Sequence, residues 1–350
     1  MKIQNALGIL SSEVPIGNLL WVDAVNGVDA LAQRGRMTIP FRTLTAAKNA
    51  AVTAATSTDP RDTIVVLPGV YNERDLLKHR VNWHFMNGAR VEYSGADNGA
   101  IFDASSSAIS SVITGAGEFI NSATGSSSNV LWAGTGGGDL EIHLQARRMA
   151  AQKCCIKVNV STGIVRVDVS NDINSSGERT IQNLGTSELH VKAHHVQCSL
   201  GSAVRISAGS VHVIAHSIVS SGVSSEAAVQ VTGGSGYSTI RAFQVECGYD
   251  VALRWAASAG ARIGVIDARL VSSGTGAQGQ GIDLQGTTGA ASDMIRLHNC
   301  MLLPSASATY AMAAQNAATR VFVLGTAVGT KTHNNISIVA GTYSTETKIA

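Results

Sequence analysis

The chain has 350 residues, of which 45% are hydrophobic, only 14% charged and 5% aromatic, and 36 are glycine. That balance excludes a disordered chain, which is charged and poor in apolar residues, and a long-helix bundle, which wants Glu, Lys, Leu and Arg. With 26 basic against 24 acidic residues the formal charge is +2, so no strong field draws nucleic acid or an anionic membrane. The five cysteines are odd in number and contain no CxxC pair, which argues against a zinc cluster or a disulfide framework and for reduced, packed thiols. The opening residues MKIQNALGILSSEVPIG carry one lysine and a broken apolar run, unlike a signal peptide. No stretch approaches the roughly 20 apolar residues that span a bilayer. The expectation is a protein made in a cytoplasm, with no membrane insertion, no nucleic-acid partner and no cofactor.

Residues 1–20 read as an N-terminal arm, too apolar for a plain linker (Leu7, Ile9, Leu10, Val14, Ile16, Leu19, Leu20) and suited to docking on the chain's own body or on another chain. After Pro40-Phe41, the stretch Thr43–Thr56 sets Leu44, Ala47, Ala51 and Ala54 at helical spacing, with Thr43 as N-cap. Asp59-Pro60 breaks the chain, and Thr63–Leu67 is a strand that ends at the turn Pro68-Gly69. Gly274-x-Gly276-x-x-Gly279 has the letters of a dinucleotide fingerprint but leads into a strand, so it reads as a loop.

The C-terminal half repeats a template, apolar–x–apolar–x–small–x–x–apolar. It matches Leu189-Val191-Ala193-Val196, Val211-Val213-Ala215-Ile218, Ile263-Val265-Asp267-Leu270, Ile295-Leu297-Asn299-Leu302 and Val321-Val323-Gly325-Val328. Ile240-Ala242-Gln244-Cys247 fits more weakly, and Ile336-Ile338-Ala340-Tyr343 closes the series as a second side of the final turn or a cap. Short strands fall between copies: Val204-Arg205-Ile206, Val229-Gln230-Val231, Val251-Ala252-Leu253 and Ile282-Asp283-Leu284. A β-sandwich does not need its strands to share one template, whereas a solenoid does, because equivalent residues fill the same slot in stacked turns. The predicted fold is all-β: a right-handed, single-stranded parallel β-helix with an N-terminal capping helix. The chain divides into the arm (1–20), the cap (21–73) and the β-helix body (74–350).

The cap region carries a resemblance. Trp21, Val22 and Asp23 with Gly27 and Asp29, then Pro40, Phe41, Thr43 and Leu44, then Asp62, Pro68, Gly69, Tyr71 and Glu73 follow the pattern that opens right-handed β-helices of the pectin-lyase-like superfamily. That superfamily includes polysaccharide lyases and hydrolases, surface adhesins and phage tailspikes. The resemblance implies a capping helix over the first turn. It is compatible with a structural or adhesive phage virion protein, a trimeric tailspike, fibre or head-decoration protein attached to other virion proteins through residues 1–20. The alternative it leaves open is a depolymerase, a hydrolase or lyase, acting on a host surface glycan.

Candidate chemistry is sparse. Hydrolysis of a glycosidic bond needs two carboxylates a few ångströms apart, and the best candidates are Glu246 with Asp250 and Asp267 with Asp283. Asp267 holds the corner slot that Asn299 takes one turn on, which favours a turn-forming role. Template position two holds His190 then His212, and position six His194 then His216. Stacked turns set each pair about 4.8 Å apart on an outer face, where they make a metal site, a pH-sensitive patch or a plain ladder. Position four reads Lys192, Ile214, Phe243, Ile266, His298, Leu324 and Val339, an outward stripe rich in apolar residues. Packing of copies around an axis would bury it, so Ile214, Phe243, Ile266, Leu324 and Val339 are the expected subunit interface of a homotrimer.

Overall fold

The computed structural model describes residues 16–52, 61–96, 99–105, 109–125, 128–134, 140–222, 226–233, 236–256, 262–273, 281–284, 294–308, 312–314, 320–326, 333–334 and 337–340. Over these residues all strand pairings are parallel, and the chain winds into a right-handed β-helix. Mid-rod coils contribute one long bent strand and one short strand. The long strands include Glu188–Cys198, Ser210–Ser220 and Tyr237–Cys247; the short ones include Ser202–Ile206, Val229–Val231 and Leu253–Trp255. Ten short strands, from Ala100–Asp103 to His333–Asn334, make one continuous sheet. The predicted loop at Gly274–Gly279 lies outside the described residues.

The template explains the bend. Along Glu188–Cys198 the buried residues are Leu189, Val191, Ala193, Val196 and Cys198. Alternation fails once, between Ala193 and Val196, where His194 and His195 both turn away from the core. Ala193 and Ala215 stack at this corner because a larger side chain would not fit inside the bend. Later coils turn the corner another way. Asp267 and Asn299 adopt left-handed φ of 56° and 50°, Gly325 takes 58°, and the strand splits in two there. Ala268 and Cys300 then supply the buried residue.

The register corrects three of the sequence assignments. Val213 pairs with Ile240 and Ile218 with Val245, so the third copy runs Ser238-Ile240-Ala242-Val245. Ser238 occupies an apolar slot and escapes recognition because its hydroxyl, buried in the core, accepts a hydrogen bond from Val211 N at 3.0 Å. The strand expected at Val251–Leu253 is Leu253–Trp255, in register with Val229–Val231. In the last copy Val321 pairs with Ile338, which makes Ser337–Ala340 the strand of a shortened further coil.

The core is aliphatic along most of the rod and aromatic near the N-terminal end. There Phe85 meets Phe119 at 4.9 Å and Phe102 at 6.2 Å between ring centroids, and Trp83 stacks on Phe85 at 5.8 Å. All five cysteines are buried and free; burial pushes the Cys154 thiol up to about 12.

The helix, Leu44–Ala50, packs against the strands Ile16–Val22 and Arg61–Val66, with Leu44 and Ala47 buried. It is shorter than the 43–56 span expected, and Ala54 lies outside the described residues. Thr43 caps it, accepting from Ala46 N at 3.2 Å. The carboxylate of Glu73 accepts from both Leu44 N and Thr45 N at 2.6 Å, and that of Asp29 accepts from Arg42 N and Thr43 N at 2.7 and 3.0 Å. Negative charge at a helix N-terminus is stabilising. Gly27 is required because a Cβ there would stand 2.3 Å from the Phe41 carbonyl oxygen. Residues 16–20 are part of the strand Ile16–Val22, which pairs with Arg61–Val66; residues 1–15 lie outside the described residues. Replacing Glu73 by Ala removes both bonds to the helix amides and should lower stability by about 2 kcal/mol in urea unfolding, with Glu73→Gln costing less.

Candidate functional site

The outer flank of the long strands concentrates the side chains that carry chemistry. Because coils stack in register, outward residues line up in columns along the rod. One column reads His143, Arg166, His190, His212, Thr239. The rings of His190 and His212 stack with centroids 4.8 Å apart and planes at 24°. Glu188 Oε1 lies 2.7 Å from His190 Nε2 and 3.6 Å from His212 Nε2, and His212 Nδ1 lies 2.8 Å from Thr239 Oγ1. Burial, then the neighbouring His190, push the His212 imidazole below its usual range, with Glu188 opposing them.

Across the corner a second column stacks His194, His216 and Phe243, with centroid separations of 5.1 and 5.3 Å and near-parallel planes. His195 is paired in register with Asp172 in one neighbouring coil and Ser217 in the other, its Nδ1 lying 2.6 Å from Ser217 Oγ.

The expected apolar stripe is not one column. Ile214 is followed in register by Arg241, and only then by Ile266, His298 and Leu324. Phe243 belongs to the His194–His216 column, and Val339 is in register with Phe322, two positions away from Leu324. The error has the same origin as the misread third copy: a two-residue slip put Phe243 where Arg241 stands. What remains is two exposed apolar side chains on successive coils, Ile214 (53% exposed) and, across the corner and stacked on His216, Phe243 (54%).

Each of the four acidic candidates is bound to a neighbouring polar or basic side chain. Glu246 faces out and accepts from Gln244 Nε2 at 2.6 Å. Asp250 and Asp283 both bind Arg254, at 2.6 and 3.1 Å, and all three are at most 7% exposed. Burial opposes the charge on Arg254, but the two aspartates hold its guanidinium above the usual range. Asp267 is at the corner of the long strands, 3.1 Å from Arg241, on a different sheet from Asp283. The misplaced strand hid Arg254, since the slot assigned to Ala252 is its own.

A groove of about 480 Å³ runs along the rod where the long strands end. Ile120, Ala150, Asn174 and Gln197 succeed one another in register along it, with Gln152, Ser122, Ser176 and Ser199 beside them. Gln152 Oε1 and Asn174 Oδ1 are buried there without a hydrogen-bond partner among the described residues. Sequence reasoning missed this groove, and it missed Glu188, Thr239, Asp172 and Ser217. Glu188 carries a legible signal, standing two residues before His190 and so on the same side of the strand.

No protein-family model, no curated protein and no solved structure matches this chain.

Arg254 separates two buried carboxylates, so Arg254→Ala should destabilise the rod by roughly 3–5 kcal/mol, read by chemical denaturation. Replacing all three groups with apolar residues of similar volume should restore most of that loss.

Proposed function

We propose that the chain is a rigid structural and adhesive component of a phage virion, a homotrimeric β-helical rod serving as a tailspike, fibre or head decoration, with the groove turned to host-surface glycan. The observation that carries this reading is the engagement of the acidic candidates in structural bonds. A glycosidase needs one carboxyl group to hold a proton for the leaving oxygen. Asp250 and Asp283 are both buried against the guanidinium of Arg254, away from any approaching glycan, and Asp267 is bound to Arg241. The groove, in contrast, sets the amides of Asn174 and Gln197 and the hydroxyls of Ser122, Ser176 and Ser199 beside the apolar Ile120, Ala150 and Ala151, a mixture that suits the polar edges and apolar faces of a neutral sugar.

The cap residues Trp21–Glu73 resemble those of pectin-lyase-like β-helices, a superfamily in which phage tailspikes stand beside lyases, hydrolases and adhesins, and the N-terminal segment 1–20 would supply the attachment to other virion proteins. The exposed Ile214 and Phe243 support self-association, because burying them against sister copies removes apolar surface from water.

Light scattering of the full chain should return three times 36.2 kDa, and Ile214→Glu with Phe243→Glu should lower it; the mass of one chain from the unaltered protein would overturn the trimer. Incubated with capsule or lipopolysaccharide, the protein should retain glycan and release no reducing or unsaturated ends, with retention weakened by Gln152→Ala and Asn174→Ala. New ends would replace this reading by that of a depolymerase.

A further inference from the structure

We propose that Glu188, His190 and His212 form a solvent-open binding site for a divalent transition-metal ion of the zinc class, joining two successive coils of the rod. Glu188 and His190 project from the same side of one strand, and His212 is the register partner of His190 in the next. Both Nε2 atoms are aimed at the same carboxylate oxygen, at 2.7 and 3.6 Å, and one ligand atom from each residue lies within 4.8 Å of the other two. Ligands about 2.0–2.2 Å from a tetrahedral zinc ion stand roughly 3.4 Å apart, so the His212 contact is close to that separation, and the His190 contact opens to it when the proton it now shares with Glu188 moves to His190 Nδ1 or is released to solvent as the ion binds. Two imidazoles and a carboxylate are a donor set that suits zinc, and three protein ligands leave the fourth position to water or to a donor from another molecule.

The surroundings favour the ligating form of His212. Its Nδ1 is 2.8 Å from Thr239 Oγ1, which stands in register one coil further on. When Nδ1–H donates to that hydroxyl, Nε2 keeps its lone pair toward Glu188, the arrangement by which an outer hydrogen bond fixes the tautomer of a metal ligand. A lone pair facing a carboxylate oxygen repels it, and a cation between them turns the repulsion into two bonds. Arg166, in register with His190 on the other side, directs its guanidinium to His143 Nε2 at 2.8 Å in the coil beyond. Glu188, His190 and His212 keep 43%, 38% and 24% of their side-chain surface exposed, so an ion reaches them without unfolding.

The site is tested on the metal-stripped full chain by calorimetric titration with Zn²⁺ and visible absorption with Co²⁺. The wild-type protein should bind an equivalent that Glu188→Gln and His212→Ala each abolish, and that Thr239→Val weakens about 10-fold or more. Zn²⁺ should raise the Tm of the wild type by more than that of Glu188→Gln or His212→Ala. His194→Ala, which touches the neighbouring group of Asp172, His194 and His195, should keep this equivalent. Isotherms of Glu188→Gln and His212→Ala that superimpose on the wild type would overturn the site. So would loss of the equivalent in His194→Ala alone, or a wild-type protein that binds neither ion.

Discussion

Parallel, in-register pairing of each coil with the next is the constraint on which the rest of this molecule depends. Strands about 4.8 Å apart bring the same slot of every coil into contact with itself. Inside the rod this forces a column such as Ala193–Ala215 to stay small and the neighbouring column of Val191, Val213 and Ile240 to stay apolar. Outside it forces like residues together, and the molecule either alternates them, as with Asp168, Lys192, Ile214 and Arg241, or stacks them, as with His190 on His212. The candidate functional surface is therefore built from columns rather than from a single loop.

Several polar groups in the interior are held by backbone partners in their own or a neighbouring coil. Ser238 fills an apolar slot by taking a backbone N–H from the coil before it. Asn183 donates to the Ser187 carbonyl at a turn, and Ser220 to that of Gly201. The Asp250–Arg254–Asp283 group is the extreme case, with three charges held together beneath the surface of the short-strand sheet. Removing one partner from such a group leaves an unpaired buried charge, which is why its members read better as structure than as a proton relay.

The N-terminal end meets a different requirement. An open first coil would expose unpaired strand edge and dry core. The helix Leu44–Ala50 lies over it, and Thr43, Asp29 and Glu73 hold the helix start in place. The three residues are far apart in sequence, and the cap is where long-range hydrogen bonding and the residue pattern agree most closely. From that closed end the long strands carry the histidine columns, the exposed Ile214 and Phe243 and, where they end, the groove, which are the surfaces the proposed adhesive and metal-binding roles use.

The residues alone determine that this chain is a parallel β-helix with a helical cap. The template is set by slot size and polarity, and both are properties of individual side chains. They also determine the stacked pairs His190–His212 and His194–His216, because identical spacing in successive copies leaves no other outcome. The register of the third copy was not legible, since a hydrogen-bonded serine is indistinguishable from an outward one until its partner in the neighbouring coil is known. The two-residue slip that followed turned Arg241 into Phe243 and a mixed column into an apolar stripe. The pairing of Asp250 and Asp283 through Arg254, the approach of Glu188 to two imidazoles and the groove along Ala150, Asn174 and Gln197 depend on distances between coils. Only the tertiary structure decides those, because stacking joins residues that the chain itself keeps some 20 to 30 positions apart.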